Sequence, residues 1–281
     1  MKLTILGLGT MTGAILTGAI EAGAVRAEDV RATTRSAASA ERARGRHPGV
    51  EVLAAEEDPQ ANVRAVEGAD VVLFGVKPKD MAATAAEVAQ ALPEAATVVS
   101  VAAGVRAETL AAALREGQPL VRTMPNTPLT VGSGVVGVAP AAGVTDAQAE
   151  AVEALFAGSG LVVRVAEEQL AAVVAAAGSA PAYVFLLAEA IARHAEELGL
   201  DRSDAEAMAA ATVKGAGLML QRGIREGDQT AEDLRRGVMS PGGTTEQAIR
   251  TFQEGGFERL VADAMDAAAR RDEEMGREFA G

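Results

Sequence analysis

The chain of 281 residues contains no cysteine, no tryptophan, one tyrosine and only two histidines. Without cysteine it can form no disulfide bond, iron–sulfur cluster or cysteine-based zinc site, and a cysteine nucleophile is excluded. The two histidines, His47 and His194, cannot supply a three-histidine metal site. We therefore predict no metal site. We expect catalysis to depend on backbone groups, hydroxyls, carboxylates, a few basic side chains or a bound cofactor.

Basic residues are outnumbered by acidic ones, 26 to 39, which gives a formal net charge of −13. This excess disfavours nucleic-acid binding, because such binding depends on neutralising phosphates. No uninterrupted apolar run reaches the roughly 20 residues of a membrane-spanning helix, and the first residues enter a strand instead of forming a signal peptide. We expect a soluble, cytoplasmic protein with neither nucleic acid nor a membrane as a partner.

The pattern divides the chain into two domains, 1–163 and 164–281. In the first, short β-like runs alternate with helical ones, which predicts a parallel sheet covered by helices on both faces. The predicted strands are 3–6, 30–33, 69–74, 97–101, 119–123, 134–138 and 161–165. In the second domain the pattern predicts helices at 167–198, 202–222 and 246–277, with a kink or break near Gly178 and Pro181. Its Ala-rich helices form no sheet and need a partner for their apolar faces, so we expect a dimer.

We therefore predict the fold class α/β, with an N-terminal Rossmann-type doubly wound sheet and a C-terminal all-helical dimerisation domain. A glycine-rich turn, Gly7 to Gly13, follows the first strand of this sheet. Gly7 permits a tight turn, Gly9 lets the backbone approach a pyrophosphate, and the helix starting near Thr10 and Met11 favours negative charge. Thr12 occupies a position where the strict dinucleotide pattern has a small residue, so a merely tight turn is the alternative.

The end of the second strand bears on the choice between NAD and NADP. An NAD-binding chain usually has a carboxylate there, whereas this chain has Thr34, Arg35 and Ser36. A guanidinium with hydroxyls suits a 2′-phosphate, so we predict NADPH, with NADH as the alternative. Two further turns at carboxyl ends of strands are predicted to contact the cofactor. Their residues are Val76, Lys77 and Pro78, and Ala102, Ala103 and Gly104.

Three later segments are more specific: VRTMPNTP at 121–128, AGSAPAY at 177–183 and SPGGTT at 240–245. Together with the glycine turn and Val76-Lys77-Pro78, they resemble the pyrroline-5-carboxylate reductase family, in order over essentially the whole chain. The resemblance implies an NAD(P)H-dependent oxidoreductase of proline biosynthesis that reduces the C=N bond of 1-pyrroline-5-carboxylate to give L-proline. It also implies an interlocked homodimer, and larger rings of dimers occur in the family.

The SPGGTT segment is the most specific of the three. Its consecutive backbone N–H groups precede a predicted helix and can cradle a carboxylate. The resemblance implies that Gly243 and Thr244 hold the substrate carboxylate, within a loop that includes Ser240 and Gly242. It further implies that Thr245 forms a hydrogen bond near the imine nitrogen. A plain helix cap with a Pro-Gly turn is the alternative.

The other two segments supply the remaining candidates. Ser179 and Tyr183 lie one helical turn apart and can share a face, and we include both with Thr245 in the catalytic set. Met124, Pro125 and Asn126 resemble a rigid loop beside the nicotinamide. Tyr183 could instead be an aromatic residue at the edge of the core, and Asn126 could merely brace its turn.

The sequence departs from the family pattern at Thr12, Ala180 and Ala211, which bears on cofactor affinity and substrate range. A β-hydroxyacid dehydrogenase would need a lysine on the first long helix after the nucleotide domain. The lysines stand at positions 2, 77, 79 and 214, and none lies there. Two alternatives stay open: a cyclic-imine reductase with another substrate, and a dinucleotide-binding sensor without a substrate site.

Overall fold

The apolar runs of the first half form an eight-stranded sheet in the computed structural model, which describes residues 1–279. The strands are β1 (Leu3–Leu6), β2 (Val30–Thr34), β3 (Glu51–Ala54), β4 (Val71–Phe74), β5 (Thr97–Ser100), β6 (Leu120–Pro125), β7 (Gly134–Pro140) and β8 (Gly160–Arg164). They are ordered β3-β2-β1-β4-β5-β6-β7-β8. The strand order reverses between β1 and β4, the kind of position where open α/β sheets bind ligands.

Two features of the sheet differ from the prediction. Strand β3 was missed, because it is only four residues long and begins with the exposed Glu51. Strand β7 pairs antiparallel with β6, while every other neighbouring pair is parallel. Only the short 3-10 turn Thr127–Val131 joins these two strands, and a parallel crossover needs a much longer connection.

Helices cover both faces of this sheet. Those of the first half are α1 (Thr10–Glu21), α2 (Ala37–Arg46), α3 (Ala61–Val66), α4 (Met81–Val88), α5 (Ala107–Ala111), α6 (Asp146–Ala157) and α7 (Leu170–Val173). Side chains of α1, α2 and α6 share one buried cluster with Val71 and Leu73, whereas those of α3, α4 and α5 share another with Val72 and Phe74. This alternation along β4 shows why the strand is apolar throughout: both faces are buried.

The second half is helical, as predicted, with α8 (Ala180–Glu197), α9 (Arg202–Glu226), α10 (Ala231–Gly237), α11 (Thr244–Glu254) and α12 (Phe257–Phe279). The interruption expected near Gly178 is a π-helical turn, Val174–Gly178, after which α8 begins. The single helix predicted over 246–277 is two helices. They are divided at Gly255 and Gly256, the latter at φ +76°, a conformation that glycine adopts without strain.

The chain forms two compact units, divided at the start of α8 and again within α12. One comprises Met1–Ser179 together with the stretch from Ala267 onward, and the other comprises Ala180–Asp266. The domain division predicted between residues 163 and 164 stays a prediction, and compactness divides the chain later, after Ser179. Within the second unit, α8 and α9 pack through the buried alanines Ala192, Ala205 and Ala209.

Many large apolar side chains of the second unit are exposed. They include Phe185, Leu186, Leu218, Met219, Ile224, Phe252 and Leu260. The helical segment Glu167–Glu197 is also long and apolar enough, by length and composition alone, to cross a membrane, with 17% of its most apolar window buried. The segment is not an uninterrupted apolar run, since it contains Gln169, Ser179 and Glu189. One such segment is weak evidence for a membrane, because core helices of soluble proteins have the same composition.

Candidate active site

The nucleotide turn has the geometry that the glycine pattern predicted. Gly7 has φ +91°, and a Cβ atom there would lie 3.0 Å from backbone atoms of Gly75 and Val76. Gly9 is the N-cap of α1, and a Cβ atom there would meet nothing within 4 Å. The turn therefore packs tightly against the protein at Gly7 and leaves free space at Gly9. The amides of Thr10 and Met11 lie in the first helical turn, where N–H groups lack intrahelical acceptors, as an anionic pyrophosphate requires.

The end of β2 carries a cation and no carboxylate of its own. The Arg35 side chain is 84% exposed, and its Nη2 atom lies 3.7 Å from an Asp80 carboxylate oxygen. The Ser36 hydroxyl caps α2 by accepting the Ser39 amide at 3.3 Å. Asp80 was not predicted as a neighbour of Arg35, because it lies in the turn after β4, far away in the sequence. Only the parallel pairing of β2, β1 and β4 brings these residues together.

The turns after β4 and β5 have different surroundings. Val76, Lys77 and Pro78 lead into a short 3-10 turn in which Pro78 occupies the first position, and Lys77 is exposed. After β5, Ala102 is buried, and Gly104 has φ +73°. A Cβ atom on Gly104 would lie 2.7 Å from the Cβ atom of Met275. The structure therefore gives Gly104 a packing role against α12, and its contact with a cofactor stays a prediction.

The segment after β6 is braced by its own asparagine. Asn126 is buried; its Nδ2 atom donates to the Ala177 carbonyl at 3.0 Å, and its Oδ1 atom accepts the Val135 amide at 2.8 Å. The bracing alternative is therefore observed. The Met124 methyl group lies 2.7 Å from where a Cβ atom of Gly178 would be. These contacts hold the predicted nicotinamide loop against the π-helical turn that leads to Ser179.

A buried charged cluster in the same unit was not predicted. The Arg122 guanidinium is paired with Glu167 at 2.8 Å, and Glu167 also accepts the Ala107 amide at 2.9 Å. Arg122, Glu167 and Asp272 all line one cavity of about 370 Å³. Burial raises the pKa of the Asp272 carboxyl, and the positive charge of Arg122 opposes that rise. One carboxylate oxygen of Asp272 is buried without a hydrogen-bond partner within residues 1–279.

The SPGGTT loop lies in the second unit and precedes α11. Gly242 has φ +72°, and Gly243 is the N-cap of the helix. Two amides of the predicted cradle are already engaged: that of Gly242 donates to Glu246 Oε2 at 2.7 Å, and that of Gly243 to the Ser240 carbonyl at 2.8 Å. The next amides belong to Thr244 and Thr245 in the first turn of α11, where N–H groups lack intrahelical acceptors. The binding of a carboxylate by this loop stays a prediction.

Tyr183 lies in the first turn of α8. Its hydroxyl oxygen is buried and has no hydrogen-bond partner in the described part of the chain. A buried tyrosine hydroxyl normally finds a partner. The missing partner is consistent with a hydroxyl that serves a bound molecule, and the catalytic roles of Tyr183 and Ser179 stay predictions.

Comparison with known proteins identifies the family. A family model described as pyrroline-5-carboxylate reductase dimerisation matches residues 167–275. One described as NADP oxidoreductase, coenzyme F420-dependent, matches residues 2–104. Pyrroline-5-carboxylate reductase of Pseudomonas aeruginosa is 40% identical over 221 residues, 78% of this chain and 80% of that protein. The chain belongs to the pyrroline-5-carboxylate reductase family.

Other members of the family agree. The pyrroline-5-carboxylate reductase of Escherichia coli is 37% identical over 210 residues, 74% of this chain and 76% of that protein. The solved structure of the Coxiella burnetii reductase is 34% identical, covers 98% of both chains and has a TM-score of 0.88. A Plasmodium falciparum pyrroline carboxylate reductase with NADP bound, 23% identical with a TM-score of 0.82, shares the fold. The predicted family and fold class are confirmed, and the chain is an NAD(P)-dependent oxidoreductase.

Proposed function

We propose that this chain reduces the C=N bond of 1-pyrroline-5-carboxylate to give L-proline, with NADPH as its cofactor and NADH as a weaker alternative. The observation that carries the proposal is the 40% identity to a pyrroline-5-carboxylate reductase over 78% of the chain. The residues of the candidate site support it, because they supply anion-binding groups and hydroxyls, and the chemistry requires no protein nucleophile.

The nucleotide turn fits the proposed cofactor. Gly9 leaves open space at the amino end of α1, and Arg35 offers an exposed guanidinium for a 2′-phosphate. The amides of Thr10 and Met11 would hold the pyrophosphate. When bound, NADPH supplies the hydride, so the protein need only position the reactants and stabilise charge. A reaction whose reactive group comes from the cofactor suits a chain with no cysteine and two histidines.

The first turn of α11 suits the substrate carboxylate. The Gly242 and Gly243 amides are engaged within the loop, so we assign the carboxylate to the amides and hydroxyls of Thr244 and Thr245. The Thr245 hydroxyl is also our candidate for the hydrogen bond at the imine nitrogen. We assign Tyr183, with its unpartnered hydroxyl, and Ser179 to orienting the ring.

We also propose that the chain forms a cytoplasmic homodimer, and that these dimers can assemble further into a ring. The match of residues 167–275 to a dimerisation model supports the dimer. The exposed apolar side chains of α8 and α9, among them Phe185 and Met219, need covering. Burying them between two chains also accounts for the apolar segment Glu167–Glu197 without a membrane. Light scattering coupled to gel filtration distinguishes a monomer, a dimer and a larger ring.

The direct test of the proposed reaction is steady-state oxidation of NADPH in the presence of 1-pyrroline-5-carboxylate, with L-proline identified as the product. Tight NADPH binding without turnover would contradict the proposal and favour a dinucleotide-binding sensor. Faster turnover of a different cyclic imine would assign the chain to another substrate.

A further inference from the structure

Thr12 is the residue of the nucleotide turn that departs from the dinucleotide pattern, and the structure gives it specific contacts. It occupies the third position of α1, and its side chain is buried, at 2% exposure. A β-branched residue is larger than the small residue that the pattern has there, so its presence requires both a use for the hydroxyl and space for the methyl group. The neighbouring residues supply both.

The hydroxyl closes the turn. The Thr12 Oγ1 atom accepts the amide of Gly9 at 2.9 Å and donates to the carbonyl of Gly7 at 2.9 Å. One side chain thus bridges both glycines of the turn. It forms half of a capping box, in which the third helical residue reaches back to the N-cap amide. Because the Gly9 amide is engaged, the first-turn amides of Thr10 and Met11 remain for an anion.

The methyl group fits only because residue 75 is glycine. A Cβ atom on Gly75 would lie 2.3 Å from Thr12 Cγ2 and 2.6 Å from the Gly7 carbonyl oxygen. Real Cβ atoms essentially never approach so closely, so a side chain at residue 75 would displace Thr12 or the turn. The Gly75 amide also donates to the Leu6 carbonyl at 2.8 Å. This bond ties the segment after β4 to the end of β1, and Gly75 and Thr12 therefore form a matched pair beneath the turn.

We propose that Thr12 is a positioning residue for the dinucleotide pyrophosphate, with its hydroxyl holding the Gly7–Gly9 turn and Gly75 providing the space for its methyl group. The proposal rests on the proposed function only in requiring that NADPH binds. Preorganisation of a loop in its bound conformation lowers the cost of ordering it on binding. The hydroxyl should therefore strengthen NADPH binding without taking part in catalysis.

The first test compares Thr12→Val, which keeps the shape and removes the hydroxyl, with Thr12→Ser, which keeps the hydroxyl and removes the methyl group. Without the hydroxyl, the Gly9 amide keeps only its bond to the Gly7 carbonyl at 3.0 Å, and the two bonds from the helix to the turn are lost. We expect Thr12→Val to weaken NADPH binding about tenfold, because the turn must then be ordered on binding. Thr12→Ser should stay within about threefold of the parent, since both hydrogen bonds of the hydroxyl are kept. Isothermal titration calorimetry with NADPH measures both without any turnover, so absence of reductase activity would leave this test intact.

The matched control is Thr4→Val. Thr4 is also a threonine at 2% exposure, and its hydroxyl donates to the Ala65 carbonyl at 2.7 Å, away from the turn. We expect Thr4→Val and Thr12→Val to lower the melting temperature similarly, and only Thr12→Val to weaken NADPH binding. In an active enzyme, the KM for NADPH should rise while kcat stays within about twofold. Equal NADPH affinity of Thr12→Val and the parent, or an equal loss in Thr4→Val, would overturn the proposal.

The second test addresses the pairing with Gly75. Gly75→Ala should weaken NADPH binding about tenfold in the parent chain, because the new Cβ atom collides with the Thr12 methyl group. In the Thr12→Ser background that methyl group is absent and the 2.6 Å contact with the Gly7 carbonyl oxygen remains. The same change should therefore still weaken NADPH binding there, but severalfold less than in the parent chain. Equal losses in the two backgrounds would show that the two sites act independently and would overturn the matched pair.

Discussion

Replacement of Arg35 by alanine should weaken NADPH binding more than NADH binding. Arg35 follows β2 in the segment where an NAD-binding chain usually has a carboxylate, and its side chain is 84% exposed. Its contact with Asp80, at 3.7 Å, is an exposed ion pair of the kind worth about 0–1 kcal/mol. The guanidinium therefore loses little when it turns to a 2′-phosphate, which NADPH has and NADH lacks.

The size of the effect follows from the strength of charged hydrogen bonds. Such bonds contribute roughly 1.5–3 kcal/mol, and about 1.4 kcal/mol corresponds to a tenfold change in affinity. The exposure of Arg35 favours the lower end of this range, so we expect Arg35→Ala to weaken NADPH binding about tenfold. NADH binding should change by less than about twofold, and raising the salt concentration should reduce the difference.

Arg31→Ala is the matched control, because it removes the same charge from β2, the strand that Arg35 directly follows. Arg31 lies on β2 and pairs with Glu51 at 3.0 Å, where it also donates to the Glu67 carbonyl. We expect it to leave the preference for NADPH over NADH unchanged. Asp80→Asn should act in the opposite sense to Arg35→Ala and tighten NADPH binding a few-fold, since a carboxylate beside the phosphate is removed. Calorimetric titrations with both cofactors would refute the reasoning if Arg35→Ala weakened them equally.

Three further variants test the substrate loop, the buried acid and the sheet. Thr245→Ala should lower kcat by about tenfold to a hundredfold, since a hydrogen bond to a charged group is lost, while calorimetry shows NADPH affinity unchanged; unaltered kcat would remove Thr245 from the mechanism. Burial raises the pKa of the Asp272 carboxyl above its ordinary value of 3.8. The folded state therefore binds the carboxyl proton more tightly than the unfolded state does. The free energy of unfolding consequently falls as pH rises from the unfolded-state pKa to the folded-state pKa. The melting temperature of Asp272→Asn should therefore rise relative to that of the parent as pH increases from about 4 to 7. A difference in melting temperature that does not depend on pH would contradict this. Gly160 has φ +149°, and a Cβ atom there would lie 2.0 Å from a carbonyl oxygen of the neighbouring strand. Gly160→Ala should lower the melting temperature by several degrees more than Gly143→Ala, whose positive φ is accompanied by no contact within 4 Å; equal losses would leave strain alone as the cause.

Local patterns in the sequence were sufficient for most of the fold. Strands such as β1 and β4 are buried on both faces and consist of unbroken apolar runs, which sequence inspection detects directly. The N-cap of α6 at Thr145, with Gln148 three residues later, forms a capping box, a pattern that four consecutive residues define. Both signals depend only on residues that are close in the chain.

Elements with weak local patterns were missed or misread. Strand β3 begins with an exposed glutamate, and the helix predicted over 246–277 is divided at Gly255 and Gly256. The direction of β7 depends on the length of a turn, whereas its apolar residues fit either direction. The sequence alone does not decide such features, because competing arrangements bury the same side chains.

The candidate site shows the same distinction. The glycine turn, the basic end of β2, and the SPGGTT loop are contiguous motifs, and the sequence by itself determined the family, the fold class and the exclusion of a cysteine nucleophile. Only the tertiary structure decided which of these groups are already hydrogen-bonded or ion-paired within the protein. It showed that Asn126 braces its loop, that Glu246 accepts the Gly242 amide, and that Asp80 faces Arg35. It also placed Gly75 beneath Thr12. The contacts of Asn126, Asp80 and Gly75 join residues from separate parts of the chain, and all four depend on distances of a few ångströms that folding sets.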